Sequence, residues 1–260
     1  MGLVTVQDRG RLASLLSQDA ALHLYELGDL EAPYWQHTRW FGWEQKGALR
    51  HVALLYTGSP TPVLLAFDRE PTALLPLLDG LRPLLPRRLN AQLSPGLAQA
   101  FRRDYAITPR GRCLKMALDR PLPEPEASNV RCQPLTPADA ARLGAFYAAA
   151  HPGNWFEPQQ LATGLYRGIL LDGQIVSAGG VHVISEAYGV AGLGNIATLP
   201  AYRGRGYASA VVRAVACAAQ ARVGLIGLNV AARNGAALRL YTRLGFCPVA
   251  EFDDLGLETR

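Results

Sequence analysis

The sequence predicts an α/β fold with a mixed sheet (of the α+β type), built as two similar domains in tandem. Short apolar runs typical of strands alternate with amphipathic helical stretches along the whole chain of 260 residues. The stretch from Asp119 to Ser128, DRPLPEPEAS, holds three prolines and three acids and no apolar period, which is typical of a linker. We therefore predict domains at residues 1–118 and 130–260, with a linker at 119–129.

In the first half, apolar runs bounded by turn residues predict strands, and longer runs with helical spacing predict helices. The predicted strands are residues 3–6, 51–56, 63–67, 89–93 and 113–118. The predicted helices are residues 8–19, 73–85 and 95–103. Aromatic residues are concentrated between Leu22 and Trp43, where we expect them to fill a core or a domain interface.

The second half begins with a predicted strand at 130–135 and a helix from Thr136-Pro137, residue types that favour a helix N-terminus. The further predicted strands are residues 166–171, 174–184, 188–198, 223–230 and a last one from 246. The further predicted helices follow Pro158, the loop at 203–206 and Asn234. The strand at 223–230 is apolar except for Asn229, which predicts burial on both faces.

The two halves repeat one order of elements: strand, helix, strand, helix, strand. The series starts at residue 63 in the first half and at residue 188 in the second. The loop after the first strand differs, because Asp68-Arg69-Glu70-Pro71 in the first half stands where Arg203-Gly204-Arg205-Gly206 stands in the second. Acids and a proline cannot hold a phosphate. The first half is therefore predicted to be a degenerate copy without an anion site.

The segment from Asn195 to Ala219 combines a strand end, the glycine-rich turn and a helix. A helix N-terminus presents unpaired N–H groups and a partial positive charge, and glycines let an anion approach the backbone closely. Arg203 and Arg205 add fixed positive charge in the same turn. We therefore predict a phosphate-binding site here. The apolar positions that predict the helix are Ala208, Val211, Val212 and Val215.

The net charge of +5 is concentrated around this loop, because residues 187–250 contain seven arginines and no acidic residue. This field favours a multiply phosphorylated small molecule. Nucleic acid is not expected, because no helix-turn-helix, RNP or zinc-finger pattern accompanies the arginines, although RNA binding stays open as an alternative.

The sequence also predicts a cytoplasmic protein. No apolar run approaches the ~20 residues that span a bilayer, and the N-terminus lacks the apolar core of a secretory signal. The four cysteines are widely spaced without a CxxC pair, which predicts reduced thiols and no metal site. Cys217, in the helix after the glycine-rich loop, is expected to be a small buried thiol.

Two competing glycine motifs can be set aside. The sequence contains no GxxxxGK[ST], which excludes a P-loop. Residues Gly192 to Ala197 fit the dinucleotide fingerprint GxGxxA, but that motif must open a helix and needs an acidic residue about 20 positions later. Here it lies inside a predicted strand, and the acid-free window follows it.

What remains resembles the GNAT superfamily of acyl-CoA N-acyltransferases. The R-G-x-G-x-A signature is present at Arg203-Gly204-Arg205-Gly206-Tyr207-Ala208. The downstream pattern N..A...LY..LGF is present from Asn234 through Leu240-Tyr241 to Leu244-Gly245-Phe246. The resemblance covers residues 130–250 well. It implies two GNAT-like domains in tandem, similar to the glycine N-acyltransferase-like group, with the cofactor site in the C-terminal domain.

The resemblance also implies roles for particular residues. The backbone of Ile196, Ala197 and Thr198 would pair with the pantetheine arm of acetyl-CoA, the expected acyl donor. The pyrophosphate would be held by the backbone N–H groups of Arg203, Gly204, Arg205, Gly206, Tyr207 and Ala208. Asn234 would bind the pantetheine arm or the adenosine end, unless it is only a helix N-cap. Tyr241 would protonate the departing thiolate, unless it only packs in the core.

The general base is less defined. The family often places a glutamate on the strand before the glycine-rich loop, and residues 188–198 contain none. His182 and Glu186 are the main candidates. His151, Glu157 and a water held by Asn195 are the others.

The predicted function is transfer of an acetyl group to the amine of a small molecule or amino-acid-like acceptor, by direct attack in a ternary complex. The alternative is an acyl-CoA-binding regulatory module without catalysis. The sequence specifies neither the amine nor the oligomeric state, for which a homodimer is one option.

Overall fold

The computed structural model describes residues 2–123 and 131–260. They form two compact units. The first consists of the chain up to Met116 with Val230–Gly235 and Pro248–Arg260, and the second of Ala117–Asn229 with Ala236–Cys247. Most of the predicted linker at 119–129, and the first residue of the strand predicted at 130, lie outside the described residues. The domain ranges 1–118 and 130–260 stay a prediction.

The first unit is built on a mixed sheet. Its strands are β1 (Gly2–Val6), β2 (Thr38–Gln45), β3 (Ala48–Tyr56), β4 (Val63–Ala66), β5 (Arg88–Leu93), β6 (Tyr105–Leu118) and most of the C-terminal strand β12 (Phe246–Thr259). Its α-helices are α1 (Arg9–Leu16), α2 (Leu24–Gly28) and α3 (Leu75–Leu81). The strand order is β1-β2-β3-β4-β5-β12-β6, with β4 and β5 parallel and the pairs β1–β2, β2–β3, β3–β4 and β5–β12 antiparallel.

The second unit also contains both parallel and antiparallel strands. Its strands are β7 (Cys132–Pro134), β8 (Arg167–Leu171), β9 (Gln174–Ser185), β10 (Val190–Thr198) and β11 (Leu225–Ala231), in the order β11-β10-β9-β8-β7. Its α-helices are α4 (Ala140–Ala150), α5 (Tyr207–Gln220) and α6 (Gly235–Arg243). Only β10 and β11 are parallel among the described pairs. The mixed strand pairing in both units confirms the predicted mixed α/β fold class.

Each unit encloses an apolar core. In the first, the buried face of α3 (Leu77, Leu78 and Leu81) packs with Leu89, Leu93 and Phe101. In the second, Tyr147 and Phe146 of α4 pack with Tyr166, Ala178 and Ala197. On α5, the buried residues Val211, Val212, Val215, Ala216 and Ala219 follow the helical spacing of the sequence. Cys217 is exposed on this helix, so its expected burial was wrong.

Several elements differ from the sequence prediction, among them α2 and β2, which lie in the aromatic-rich segment and were not predicted. Strand β6 begins at Tyr105 rather than 113, and its exposed middle contains Pro109 and Gly111. Both residue types disfavour strands, so the pattern hides this part. The segment predicted as a helix at 95–103 is a short 3-10 helix, Leu97–Phe101, which starts after Gly96 in a left-handed conformation.

Candidate active site

The site is built around an irregularity in β10. Its antiparallel pairing with β9 shifts register between Gly194 and Ala197, which face Gly180 and Ala178. One extra residue therefore lies in β10, and Asn195 adopts a left-handed φ of 56°. A second shift, between Gly192 and Leu193, leaves His182 as the extra residue of β9. Such bulges re-aim backbone groups and often lie beside active sites.

The other edge of β10 is open. In the part of the chain that the structure describes, β10 pairs with the parallel strand β11 only from Val190 to Leu193. Strand β10 itself continues to Thr198. Among the described residues, the backbone of residues 194–198 therefore has no strand in register with it on that side. An open strand edge can take an extended ligand as an added strand.

The glycine-rich loop follows directly and leads into α5. Gly204 and Gly206 have φ values of 76° and 79°, in the region that glycine adopts most readily. Gly206 is the N-cap residue, and no side chain of the described residues caps the helix. In contrast, the Asp8 side chain caps α1 by accepting from the Arg11 N–H at 3.0 Å. The first-turn amides of α5 are thus left for an anion, and no acidic residue lies in that turn.

The two arginines of the loop donate hydrogen bonds to backbone carbonyls outside the loop. The Arg203 Nε donates to the Thr198 carbonyl at 3.1 Å, and its terminal nitrogen donates to the Ala150 carbonyl at 3.4 Å. Arg205 donates to the Ala201 carbonyl at 3.3 Å and lies over the Tyr202 ring. Arg203 therefore ties the end of β10 and the end of α4 to the loop.

The corresponding place in the first unit is closed. Strands β4 and β5 pair over the whole of β4, from Val63 to Ala66. Beyond it, the Ser94 N–H donates to the Ala66 carbonyl at 3.0 Å, and the Asp68 N–H donates to the Ser94 hydroxyl at 3.1 Å. The Asp68 carboxylate accepts from the Glu70 N–H at 2.8 Å. Hydrogen bonds within the first unit thus satisfy the backbone after β4, whereas the matching backbone of β10 is left open.

Asn195 is held on all sides. Its side-chain nitrogen donates to the Trp155 carbonyl at 3.0 Å, the Gln160 Oε1 at 3.2 Å and the Tyr166 hydroxyl at 2.9 Å. The backbone carbonyl of Asn195 accepts a 2.8 Å hydrogen bond from the Tyr147 hydroxyl. Burial raises the pKa of both tyrosines, that of Tyr147 well above 10. Both phenols therefore stay neutral at physiological pH.

Three glycines make room for this arrangement in the sheet. A β-carbon on Gly180 would collide with the Tyr166 ring, one on Gly179 with the Ile196 side chain, and one on Gly194 with the His182 imidazole. The cluster around Asn195 can form only because these strand positions lack side chains. The paired glycines at 179–180 are the signal that sequence reasoning missed, and with them Tyr147 and Tyr166.

His182 is the base candidate that the structure brings to this cluster. Its ring lies 5.5 Å from the Trp155 ring, edge to face. Burial lowers the pKa of His182, a hydrogen bond to Asn195 opposes that shift, and His151 lowers the pKa further. The net shift is downward, so the imidazole is neutral at pH 7 and able to accept a proton.

Glu186 is placed differently. It is exposed in the turn between β9 and β10 and forms an ion pair with Arg222 at 2.6 Å. The turn leads into β10 at Val190. Asn195 lies five residues further along this strand, which is roughly 16 Å at the rise of a strand. Glu157 accepts hydrogen bonds from Trp155 and Gln159 and caps the 3-10 helix Pro158–Thr163. His151 is exposed just after α4. The structure thus groups His182, and not Glu186, with Asn195.

Tyr241 lies on the buried face of α6, with its ring edge to face against Phe246 at 5.9 Å. Burial raises the pKa of Tyr241 to about 12, so the phenol is protonated at physiological pH. Transfer of the Tyr241 proton to a thiolate is therefore less favourable than it would be for a phenol with the ordinary pKa near 10. Within residues 2–123 and 131–260, the hydroxyl makes no hydrogen bond to the chain. Asn234 is exposed before α6, and its N–H donates to the Ala231 carbonyl at 2.8 Å.

The described residues also bear on other kinds of site. No group of three or more His, Cys, Asp or Glu side chains there could hold a metal ion. No helix among them has the length and apolar character needed to cross a membrane.

Comparisons with known proteins place this geometry. Residues 137–246, which contain β8 to β11, the glycine-rich loop and α5 and α6, match the acetyltransferase (GNAT) family model. No curated protein matches the sequence. The match confirms the predicted enzyme class, an acyltransferase.

Solved structures share the fold over nearly the whole chain. A Drosophila protein is 15% identical with a TM-score of 0.72, covering 98% of both chains. A GCN5-related N-acetyltransferase from Sphaerobacter thermophilus is 17% identical with a TM-score of 0.66, covering 99% of this chain and 95% of its own. A tandem GNAT protein from the clavulanic acid biosynthesis pathway is 15% identical with a TM-score of 0.58, covering 99% of this chain and 98% of its own. At these identities the likeness concerns the fold alone.

Proposed function

We propose that this chain, which contains a GNAT acetyltransferase domain, is an N-acetyltransferase. It moves the acetyl group of acetyl-CoA to the amine of a small molecule or amino-acid-like acceptor, by direct attack in a ternary complex. The first unit is a degenerate GNAT-like copy, similar in plan to the glycine N-acyltransferase-like group. The four free cysteines favour a reducing compartment such as the cytoplasm.

The main support is the conjunction of an open strand edge and an uncapped helix N-terminus in one continuous segment. Residues 194–198 leave β11, and α5 begins nine residues after Thr198 without a side-chain cap. Acyl-CoA carries amides along its pantetheine arm and a pyrophosphate further on. The edge at Ile196, Ala197 and Thr198 suits the amides, and the amides from Arg203 to Ala208 suit the pyrophosphate.

Holding the amine and thioester together in one cleft supplies much of the rate. Proximity alone can contribute ~7–11 kcal/mol. A backbone N–H of the β10 bulge directed at the thioester oxygen would add ~3 kcal/mol as the oxygen gains charge. The Tyr241 hydroxyl is protonated and makes no hydrogen bond within the described chain. It is the proposed proton donor to the departing thiolate. Asn234 is proposed to contact the cofactor.

The acceptor amine must lose a proton before or during attack. His182 is our first candidate for the base, because it is neutral at pH 7 and packs against the bulge through Gly194. Glu186 stays a prediction, and its ion pair with Arg222 does not favour it.

Thiol release tests the proposal. Protein, acetyl-CoA and a panel of amines and amino acids are mixed, and free CoA thiol is measured. We expect release with at least one amine and a reduction of ~10²-fold in Tyr241→Phe. Tyr105→Phe, which removes a hydroxyl bonded to the Pro86 carbonyl in the first unit, should leave release unchanged. Binding of acetyl-CoA without release for every amine would instead support the regulatory module.

A further inference from the structure

We infer that Tyr147 is a positioning residue, which orients and polarises the peptide group between Asn195 and Ile196 for the thioester. The inference rests on the proposed function, since it names what that peptide would act on. It begins from one hydrogen bond, in which the Tyr147 hydroxyl donates to the Asn195 carbonyl at 2.8 Å. Both groups are buried.

The direction of this bond fixes the direction of the next amide. In a planar trans peptide, the carbonyl of one residue and the N–H of the next point opposite ways. Tyr147 lies on α4 and draws the Asn195 carbonyl towards itself. The Ile196 N–H therefore points away from α4. It belongs to the stretch of β10 that has left β11.

The conformation needs this support. Asn195 is not a glycine, yet it has a φ of 56°, a region that asparagine tolerates better than most residues. A bulge of this kind can relax by rotating the peptide, which would turn the N–H away. Tyr147 holds the carbonyl, while Tyr166, Gln160 and Trp155 hold the side chain. The peptide is therefore fixed from two sides.

The bond also strengthens the donor. A carbonyl that accepts a hydrogen bond makes the N–H of the same peptide a better donor, because linked hydrogen bonds polarise one another. Burial raises the pKa of Tyr147 well above 10, so the phenol remains a donor throughout the working pH range. A charged tyrosinate, which could not donate, is excluded there.

The thioester carbonyl can report this without an acceptor amine. Acetyl-CoA labelled with ¹³C at the acetyl carbonyl is bound to the protein, and isotope-edited infrared spectra are recorded. In the wild type, we expect the stretch at lower frequency than in free acetyl-CoA. In Tyr147→Phe, it should move back towards the free value. With an active amine, kcat should fall about tenfold while KM for acetyl-CoA changes less than twofold, short of the full loss of an oxyanion donor.

Two variants make the result decisive. Tyr105→Phe also removes a phenol-to-carbonyl bond, to Pro86 in the first unit, and should leave the bound frequency unchanged. If Tyr147→Phe does not fold, Tyr166→Phe removes one of the hydrogen bonds that hold the Asn195 side chain and should move the frequency in the same direction. An unshifted frequency in whichever of these variants folds overturns the inference. No binding of acetyl-CoA by the wild type would instead refute the proposed function.

Discussion

Gly194 on β10 and His182 on β9 are packed so closely that a β-carbon on Gly194 would lie only 2.3 Å from the imidazole ring. The same ring lies 5.5 Å from the Trp155 ring, edge to face. The absence of a side chain at position 194 therefore places the histidine. Position 194 is next to the bulge, so the two strands are coupled at the candidate site.

Gly194→Ala is expected to destabilise the fold by ~1–3 kcal/mol, because the new methyl group must displace the tightly packed His182 ring. Removing the ring with His182→Ala should remove this steric clash. In the His182→Ala background, we expect Gly194→Ala to change stability by less than ~0.5 kcal/mol. Urea unfolding of the four proteins in this double-mutant cycle measures the coupling.

Gly224→Ala is the matched control, since a β-carbon there meets nothing within 4 Å and its φ is not positive. It should leave stability nearly unchanged. Equal effects of Gly194→Ala with and without His182 would contradict the packing explanation.

The glycine-rich loop predicts a second result. Gly206→Glu should abolish binding of CoA, because the carboxylate would stand at the N-terminus of α5, where the phosphates are proposed to bind. A β-carbon at 206 meets no atom within 4 Å, so the fold should survive with a strain of ~1 kcal/mol from the positive φ. Titration calorimetry with CoA measures the loss.

Gly96→Glu has the same backbone cost without the site. Gly96 is also an N-cap residue with a φ of 90° and open space around it, in the first unit. CoA affinity should be unchanged in this variant. A Gly206→Glu protein that binds CoA as well as Gly96→Glu does would show that the phosphate site is misassigned.

The sequence was most informative where local chemistry determines structure. Gly204 and Gly206 predicted the turn, and apolar spacing predicted α5, because both depend on neighbours along the chain. Tyr147 and Tyr166 could not be recognised as partners of Asn195, since 48 and 29 residues separate them from it. The same holds for His182 and Glu186, which are equally plausible in sequence. Only strand register places one beside the bulge and the other in a turn.

The closed β4–β5 pair predicts one bound acyl-CoA per chain. Ser94 joins the strand ends through Ala66 and Asp68, so the first unit offers no open edge like that of β10. Native mass spectrometry with CoA should show a single adduct that disappears in Gly206→Glu. A second adduct, or one adduct that survives this substitution, would place a site elsewhere.

A buried carboxyl group in the first unit predicts a dependence of stability on pH. Burial, and then the charge of Glu26, raise the pKa of Asp29 well above 3.8, although Lys115 opposes this. Between the unfolded and folded pKa values, the folded state binds more protons, so stability falls as pH rises. Asp29→Asn cannot lose that proton. It should stabilise the protein increasingly above pH 4, by ~1.4 kcal/mol for each unit of pKa shift.

Urea unfolding from pH 4 to pH 8 measures this gain. Asp79→Asn, an exposed change in the same unit, should remain within ~0.5 kcal/mol of the wild type throughout. A gain in Asp29→Asn that is the same at every pH would show that the carboxyl group is not held protonated.

The activity should also depend on pH in a way that the two proposed catalytic side chains define. Burial lowers the pKa of His182 from 6.5. A base there is therefore functional at pH 7, and it is lost by protonation when the pH falls below this lowered pKa. The pKa of Tyr241 is raised to about 12, so an acid there does not lose its proton below pH 10. With an active amine, kcat should therefore be level from about pH 7 to pH 10. His182→Asn should lower the plateau and remove the fall on the acidic side. An acidic limb that persists in His182→Asn would assign the base to another group.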